Sequence, residues 1–422
     1  MTQSNPYCAM PFVHIKQFQN HVFGPCCEFE NSLQYQSNKI KIPQVEKPYD
    51  GPVVSLTGSF NSEYFKEIRK EMLEGKIPAG CERCTKKENI GVGSYRQWAN
   101  ENFNNPKNPL KELHIEQDLN EVRGLDISFS NECNLTCRMC GPSYSTKWSS
   151  VYGKFESLYN KEWSRPTNYL GTWKVNTDNI SKFTKLEYVK IMGGEPFISK
   201  EHDSFIESIP NDVIKNIYFE YNTNSTIFPK KEVIEKLKNA KGGVLKLSID
   251  GIGELNEYIR PGVSWKNIDK VIRLWHNFVL NNSKWIIQFA PCWQALNIQH
   301  LHEYVNYVKQ FEIESDRFDD SHISDIVGGS WYSIGSNRVL TPEPLAINIL
   351  PKKYKQKLIK KYTEKIPLIK YNKLTQNLIN YLRDENDKNK TYKKVATMKD
   401  FNEYNLAIDT ACNVNVFVDL NV

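Results

Sequence analysis

The sequence predicts an α/β protein: a partial (β/α)6 barrel, preceded by a small cysteine-rich module and followed by a mostly helical extension. Three observations carry this reading. Short apolar runs alternate with helical stretches from residue 124 onward. Eight of the ten cysteines fall in the first third of the chain. Lysine-rich sequence with helical spacing dominates the end. The corresponding boundaries are 1–105 for the cysteine module, 120–340 for the barrel and 341–422 for the extension.

In the first module, Phe12-Val13-His14-Ile15 and His21-Val22-Phe23 flank a polar turn and read as a β-hairpin ending at Gly24-Pro25-Cys26-Cys27. A Lys- and Pro-containing stretch, 38–52, reads as a loop. Tyr64, Phe65, Ile68, Met72 and Leu73 then recur at helical spacing, which predicts an amphipathic helix of about four turns. That helix stops at Gly75, and Cys81-Glu-Arg-Cys84 follows. Residues 101–120 are polar and read as a linker.

From residue 124 the apolar runs are Leu125–Phe129, Tyr188–Met192, Ile217–Tyr221, Val244–Ile249 and Trp285–Ala290, with a weaker, polar sixth near Phe318–Ile326. Helical patterns over 229–240, 265–281 and 298–311 lie between them. Such alternation implies parallel strands joined by crossover helices. In a barrel of this kind the chemistry belongs at the C-terminal ends of the strands. In the extension, Tyr354, Leu358, Tyr362 and Ile366 repeat every four residues.

The chain has 422 residues, 55 basic against 49 acidic side chains, and a formal net charge of +6. That balance is too mild to indicate a nucleic-acid partner. No run approaches the roughly 20 apolar residues that span a bilayer. Met1–Pro11 lacks the basic and apolar regions of a signal peptide. A cytoplasmic location is the default expectation, and in a reducing compartment ten cysteines point to metal or redox chemistry.

The first strand runs directly into Cys133-Asn-Leu-Thr-Cys137-Arg-Met-Cys140. Thiolates are soft ligands for iron–sulfur clusters or zinc. Structural zinc takes four protein ligands, often as two separated pairs. Three cysteines in one loop instead hold three irons of a cubane and leave the fourth open to a small molecule.

This loop resembles the signature of the radical S-adenosylmethionine (SAM) superfamily, whose fold is a partial TIM-like barrel. The resemblance implies a [4Fe–4S] cluster on Cys133, Cys137 and Cys140, with SAM on the open iron. It also implies reductive cleavage of SAM to a 5′-deoxyadenosyl radical that abstracts hydrogen from a substrate. Where the family usually has an aromatic residue before the last cysteine, this chain has Met139. Met192-Gly193-Gly194-Glu195-Pro196 resembles the family's Gly-Gly-Glu-Pro segment, which implies that Glu195 meets the SAM ammonium. Thr223-Asn224-Ser225 resembles its third-strand turn, and Leu247-Ser248-Ile249-Asp250-Gly251 its ribose-contacting segment. Arg260 matches an arginine that meets the SAM carboxylate. The SAM-binding set implied is therefore Gly193, Gly194, Glu195, Asn224, Ser248, Asp250 and Arg260.

Cys8, Cys26 or Cys27, Cys81 and Cys84 form a second set. Together with Phe-Val-His-Ile and Gly-Pro-Cys-Cys they resemble a SPASM/twitch module, which implies a second [4Fe–4S] cluster. In most relatives this module follows the barrel; here it precedes it. Adjacent strand residues point to opposite faces, so one of Cys26 and Cys27 is the ligand, and the resemblance favours Cys26. A structural zinc site is the alternative. Gly91-Val-Gly-Ser94-Tyr-Arg96 reads as a connection into the barrel. Cys292 and Cys412 read as small buried side chains, Asp319, Asp320 and His322 as loop polars, and the lysines of 351–370 as a solvated face.

The function implied is that of a radical SAM enzyme, an oxidoreductase-type catalyst modifying a peptide or protein side chain with electrons from a flavodoxin or ferredoxin. The alternatives are modification of a small metabolite, nucleotide or sugar, or a non-catalytic iron–sulfur redox protein.

Overall fold

The computed structural model describes residues 7–17, 23–29, 56–89, 93–104, 110, 112–159, 182–314, 332–335, 337–339, 342–365, 372–383 and 396–414. Among them lie eight strands: β1 (His14–Gln17), β2 (Phe23–Gly24), β3 (Gly124–Ser128), β4 (Tyr188–Met192), β5 (Tyr218–Thr223), β6 (Gly242–Leu247), β7 (Trp285–Phe289) and β8 (Tyr332–Ile334). They form one sheet in the order β2-β1-β3-β4-β5-β6-β7-β8. The pairs β1–β3, β3–β4, β4–β5 and β7–β8 are parallel, and β1–β2 is antiparallel. Strands β3 to β8 follow chain order with helices in their connections, which is the partial (β/α)6 barrel that the alternation of patterns predicts.

The N-terminal hairpin adds to the edge of this same sheet. Its first strand begins at His14 because Met10–Val13 forms a helical turn with Pro11 in its first positions, where proline's fixed φ suits a helix. The expected sixth run, 318–326, lies outside the described residues, as do the loop at 38–52 and Asp319, Asp320 and His322. No described helix is long and apolar enough to cross a membrane.

The chain divides into two compact units, residues 1–130, 173–221 and 229–243, and residues 131–172, 222–228 and 244–422. In the first unit, alternation along the strands separates two faces. Ile15, Leu125, Ile127, Val189, Ile191, Phe219 and Tyr221 are all buried on one of them. Phe129 meets Phe205 of the helix Lys200–Ser208 at 5.2 Å. The helix Glu63–Leu73 spans 11 residues, nearer three turns than four. It buries Tyr64, Phe65, Ile68 and Met72 but leaves Leu73 45% exposed.

The other face of these strands carries a row of alternating charges. Register places Lys16 opposite Asp126, Asp126 opposite Lys190, and Lys190 opposite Glu220. Lys16 Nζ lies 2.6 Å from Asp126 Oδ1, and Lys190 Nζ lies 3.2 Å from Glu220 Oε1. The Tyr188 hydroxyl donates to Glu220 Oε2 at 2.9 Å. Burial opposes the charge on Lys190, but Glu220 and Asp126 hold its pKa above the ordinary value.

In the second unit the helix Trp265–Asn281 buries Ile268, Val271, Ile272, Trp275, Phe278 and Val279, and Phe278 meets Trp285 of β7 at 5.5 Å. The helix Met398–Cys412 starts with a capping box between Thr397 and Asp400 and packs on the helix Thr146–Leu158. Phe155 and Tyr159 set their rings edge-on to Tyr404 at 5.7 and 5.2 Å.

Lys16 and Asp126 expose only 7% and 2% of their side chains, so removing one partner leaves a buried charge without its closest counter-ion. Lys16→Met is expected to cost about 3–5 kcal/mol in urea denaturation, and Lys16→Met/Asp126→Leu distinctly less. Equal losses for the single and double variants would show that the pair is not the source of the effect.

Candidate active site: a thiol loop at the strand ends

The loop after β3 is held through its backbone groups by the helix that follows it and by the segment 259–261. The Cys133 N–H donates to Thr146 Oγ1 at 3.3 Å, and that hydroxyl reaches the Cys133 carbonyl at 3.3 Å. Ser145 Oγ donates to the Leu135 carbonyl at 2.7 Å, and Trp148 Nε1 to the Cys137 carbonyl at 2.9 Å. On the other side the Thr136 and Arg138 N–H groups donate to the carbonyls of Pro261 and Ile259, each at 2.9 Å. Carbonyls and amides of the loop are thereby engaged while the thiols are left to one side.

Those thiols receive nitrogen donors. Asn224 Nδ2 lies 3.7 Å from Cys133 Sγ and 3.1 Å from Asn134 Oδ1. Arg260 Nη1 lies 3.6 Å from Cys137 Sγ. Arg260 Nε donates to Asp250 Oδ2 at 2.6 Å, and Asp250 Oδ1 accepts the Cys292 N–H at 2.7 Å. Both oxygens of Asp250 are thus engaged inside the protein, and Arg260 binds a carboxylate of the chain itself. The Ser248 N–H donates to the Thr223 carbonyl at 2.8 Å, which ties the end of β5 to the segment after β6.

Burial pushes the Cys137 thiol above its usual pKa; Arg260 opposes this, and Cys140 and Cys133 add to it. Cys292 rises to about 12 through burial and the nearby Asp250. Three thiols close enough to repel one another as thiolates, under donors aimed at sulfur, suit a metal cluster, whose charge makes deprotonation favourable. Hydrogen bonds to sulfur also set a cluster's potential. Among the described residues no three His, Cys, Asp or Glu side chains converge as they would around a single ion.

The strand end after β4 belongs to the first unit. Gly193 has φ +120°, and a Cβ there would lie 2.9 Å from both Ser128 Cβ and the Ser130 carbonyl oxygen. The Gly194 N–H donates to that same carbonyl at 3.0 Å. Buried Glu195 caps the turn Pro196–Ile198 by accepting the Phe197 N–H at 3.3 Å. Phe197 stacks on Tyr221 at 5.1 Å and meets His202 edge-on at 5.3 Å. His202 bridges Tyr221 Oη at 3.0 Å and Asp203 at 3.1 Å.

The first unit also gathers the second cysteine set. Burial raises Cys8 to about 12, with Cys84 adding to the effect. Burial raises Cys26 well above the usual range, and so do Cys8, Cys81 and Cys27. Cys81 rises through burial, then Cys8 and Cys84. Cys27 faces elsewhere, its pKa raised by burial and Asp126 and lowered by Lys190. Glu28 pairs with Arg83 at 3.7 Å and Lys87 at 3.2 Å, joining the Cys26 turn to the helix Glu82–Asn89 that carries Cys84.

The stretch read as a connection and linker holds a helix, Tyr95–Phe103, capped by a Ser94–Gln97 box. Ser-x-x-Gln was the signal for it. Its side chains fix Cys8: Arg96 and Asn100 donate to the Tyr7 carbonyl at 2.9 and 3.0 Å, and the Ala9 N–H donates to Asn100 Oδ1 at 2.8 Å. Thr146 and Trp148 gave no such signal, because their role is set by where the helix meets the loop.

Residues 127–308 match the family model of the Radical SAM superfamily. That segment, which carries the three-cysteine loop, is similar to the Radical SAM superfamily. A curated relative, a probable GTP 3′,8-cyclase of Methanocaldococcus jannaschii, is 28% identical over 152 residues, which are 36% of this chain. The chain spans 44% of that relative's length. Among solved structures, native anSMEcpe with bound AdoMet aligns over 56% of this chain and 59% of its own at 16% identity and a TM-score of 0.35. Streptococcus suis SuiB bound to S-adenosylmethionine aligns over 57% and 47% at 17% identity and a TM-score of 0.32.

The crowding at Gly193 is read by a stability measurement. Gly193→Ala is expected to cost about 1–3 kcal/mol. Gly153→Ala, mid-helix with nothing within 4 Å of the added Cβ, is expected to gain about 0.5–1 kcal/mol. Chemical denaturation of the two variants side by side checks the contrast.

Proposed function

We propose that the chain cleaves SAM reductively at a [4Fe–4S] cluster held by Cys133, Cys137 and Cys140, and modifies a peptide or protein side chain. The observation that carries the first part is the loop itself: three thiols, two of them under nitrogen donors from Asn224 and Arg260. When bound, the cluster would supply the electron that breaks a carbon–sulfur bond of SAM. The residues would do the rest. Asn224 and Arg260 stabilise thiolate over thiol. The Asp250 carboxylate keeps the buried Arg260 charged and aimed. The resemblance further implies Gly193, Gly194 and Glu195 for the methionine part of SAM, with Glu195 as acceptor for its ammonium, and the segment from Ser248 for its ribose.

The second set, Cys8, Cys26, Cys81 and Cys84, fits an auxiliary [4Fe–4S] cluster in the same sense, with zinc as the competing occupant. Cys26 takes the ligand role over Cys27 because its neighbours are Cys8 and Cys81. The resemblance of this set to SPASM/twitch modules supports a peptide or protein substrate. The match to a probable GTP 3′,8-cyclase supports a second reading, in which a nucleotide is the substrate. A flavodoxin or ferredoxin is the proposed electron donor.

Anaerobic reconstitution with iron and sulfide, then SAM and dithionite, is expected to yield 5′-deoxyadenosine from the wild type and none from Cys137→Ala. Iron-loaded wild type that forms no product would overturn the enzyme reading in favour of a redox carrier. Adding GTP separates the substrates, because faster turnover with a cyclised nucleotide product would displace the peptide reading.

Cys81→Ala tests the second cluster by analysis of metal content. Iron is expected to fall from about eight to about four atoms per chain. A drop of one zinc with iron unchanged would assign that site to zinc.

A further inference from the structure

Arg138 lies between Cys137 and Cys140 and is fully buried. No part of its guanidinium is idle. Nε donates to the Tyr258 carbonyl at 2.7 Å, and Nη1 to Asn405 Oδ1 at 3.0 Å. Nη2 pairs with Asp409 Oδ1, and the group lies over the Tyr258 ring at 3.6 Å. The Tyr258 hydroxyl donates to Asp409 Oδ2 at 3.4 Å. The main chain of Arg138 is held as well, its carbonyl accepting the Tyr404 hydroxyl at 3.0 Å. Asn405, Asp409 and Tyr404 all belong to the helix Met398–Cys412, more than 250 residues downstream. Beside Asp409, Lys154 Nζ donates to the Thr410 carbonyl at 2.6 Å.

We propose that the helix Met398–Cys412 is a latch that positions the thiol loop through Arg138, with Asp409 and Tyr404 as its positioning residues. The inference rests on the cluster reading of Cys133, Cys137 and Cys140. The Arg138 side chain is pinned by this helix together with Tyr258, and its carbonyl by Tyr404, so the backbone between the second and third ligands has one geometry. Asp409 also cancels the charge of Arg138. A buried guanidinium without its carboxylate would favour the more negative, reduced cluster and raise its midpoint potential.

The test compares reconstituted wild type with Asp409→Asn, Asp409→Glu and Tyr404→Phe. Three quantities are read: iron retained after desalting, the midpoint potential and the electron paramagnetic resonance spectrum of the reduced cluster. Asp409→Asn is expected to lose its cluster about 10–100-fold faster, as outer contacts of metal ligands do when broken. Its potential shifts upward, and Asp409→Glu restores both in part. Tyr404→Phe keeps the apolar contacts of its ring and so folds. It is expected to change the spectrum and hasten cluster loss without a change in charge. A helix that only supports the fold would lower thermal stability in these variants and leave retention, potential and spectrum at wild-type values, and that result overturns the latch. Wild type that holds no cluster on the three cysteines would instead remove the reading beneath it.

Discussion

The buried pair of Arg260 and Asp250 is the interaction on which the second unit's site depends. A guanidinium that is nine-tenths enclosed is unfavourable alone. Here Asp250 and Cys137 raise its pKa against the cost of burial, so it stays a cation directed at sulfur. Asp250 is fixed in turn from its main chain, its N–H donating to Asn256 Oδ1 at 2.9 Å and its carbonyl accepting Asn297 Nδ2 at 2.8 Å. Rotating Asp250 would break the Arg260 pair and the Cys292 contact together. The donor on Cys137 is therefore built from the end of β6 outward.

The first unit solves a different problem with the same means. Its strands carry charged side chains on one face, where isolated charges are unfavourable, and register sets them opposite partners of alternating sign. The row needs β1, since Lys16 supplies the cation nearest Asp126. The N-terminal segment is thus bound to the sheet by hydrogen-bond register and by charge. The same strand carries His14, whose Nδ1 contacts the Pro25 carbonyl at 2.9 Å, one residue before Cys26. Burial holds His14 at a pKa of about 4, so it packs there as a neutral ring. That edge pairing places the Cys26 turn beside β1.

Sequence pattern was enough for the strands from Leu125 to Ala290 and for the helix over 265–281, because burial there is periodic. The three-thiol loop is legible as a spacing, and the structure sets its thiols near one another. Pattern was not enough for the start of β1, where Pro11 turns the chain into a helical step before the strand. The helix Tyr95–Phe103 was missed although its capping box and Tyr95, Trp98, Ala99 and Phe103 at helical spacing were there to be read. Arg138 was the harder case. A lone arginine beside cysteines looks like a solvated charge, and only packing of the last helix shows it enclosed.

The enclosed arginines explain why a loop of eight residues keeps a fixed form. Cys133 is reached by Asn224, Cys137 by Arg260, and the main chain before Cys140 by the Arg138 latch. These contacts come from three separate places in the chain, at β5, after β6 and at the last helix. Burial raises the Cys137 thiol's pKa and so opposes a free thiolate, while the surrounding donors are oriented for one. The fold therefore opposes the charged form by burial and favours it by the donors it aims at sulfur, so the environment of Cys137 is set by Arg260.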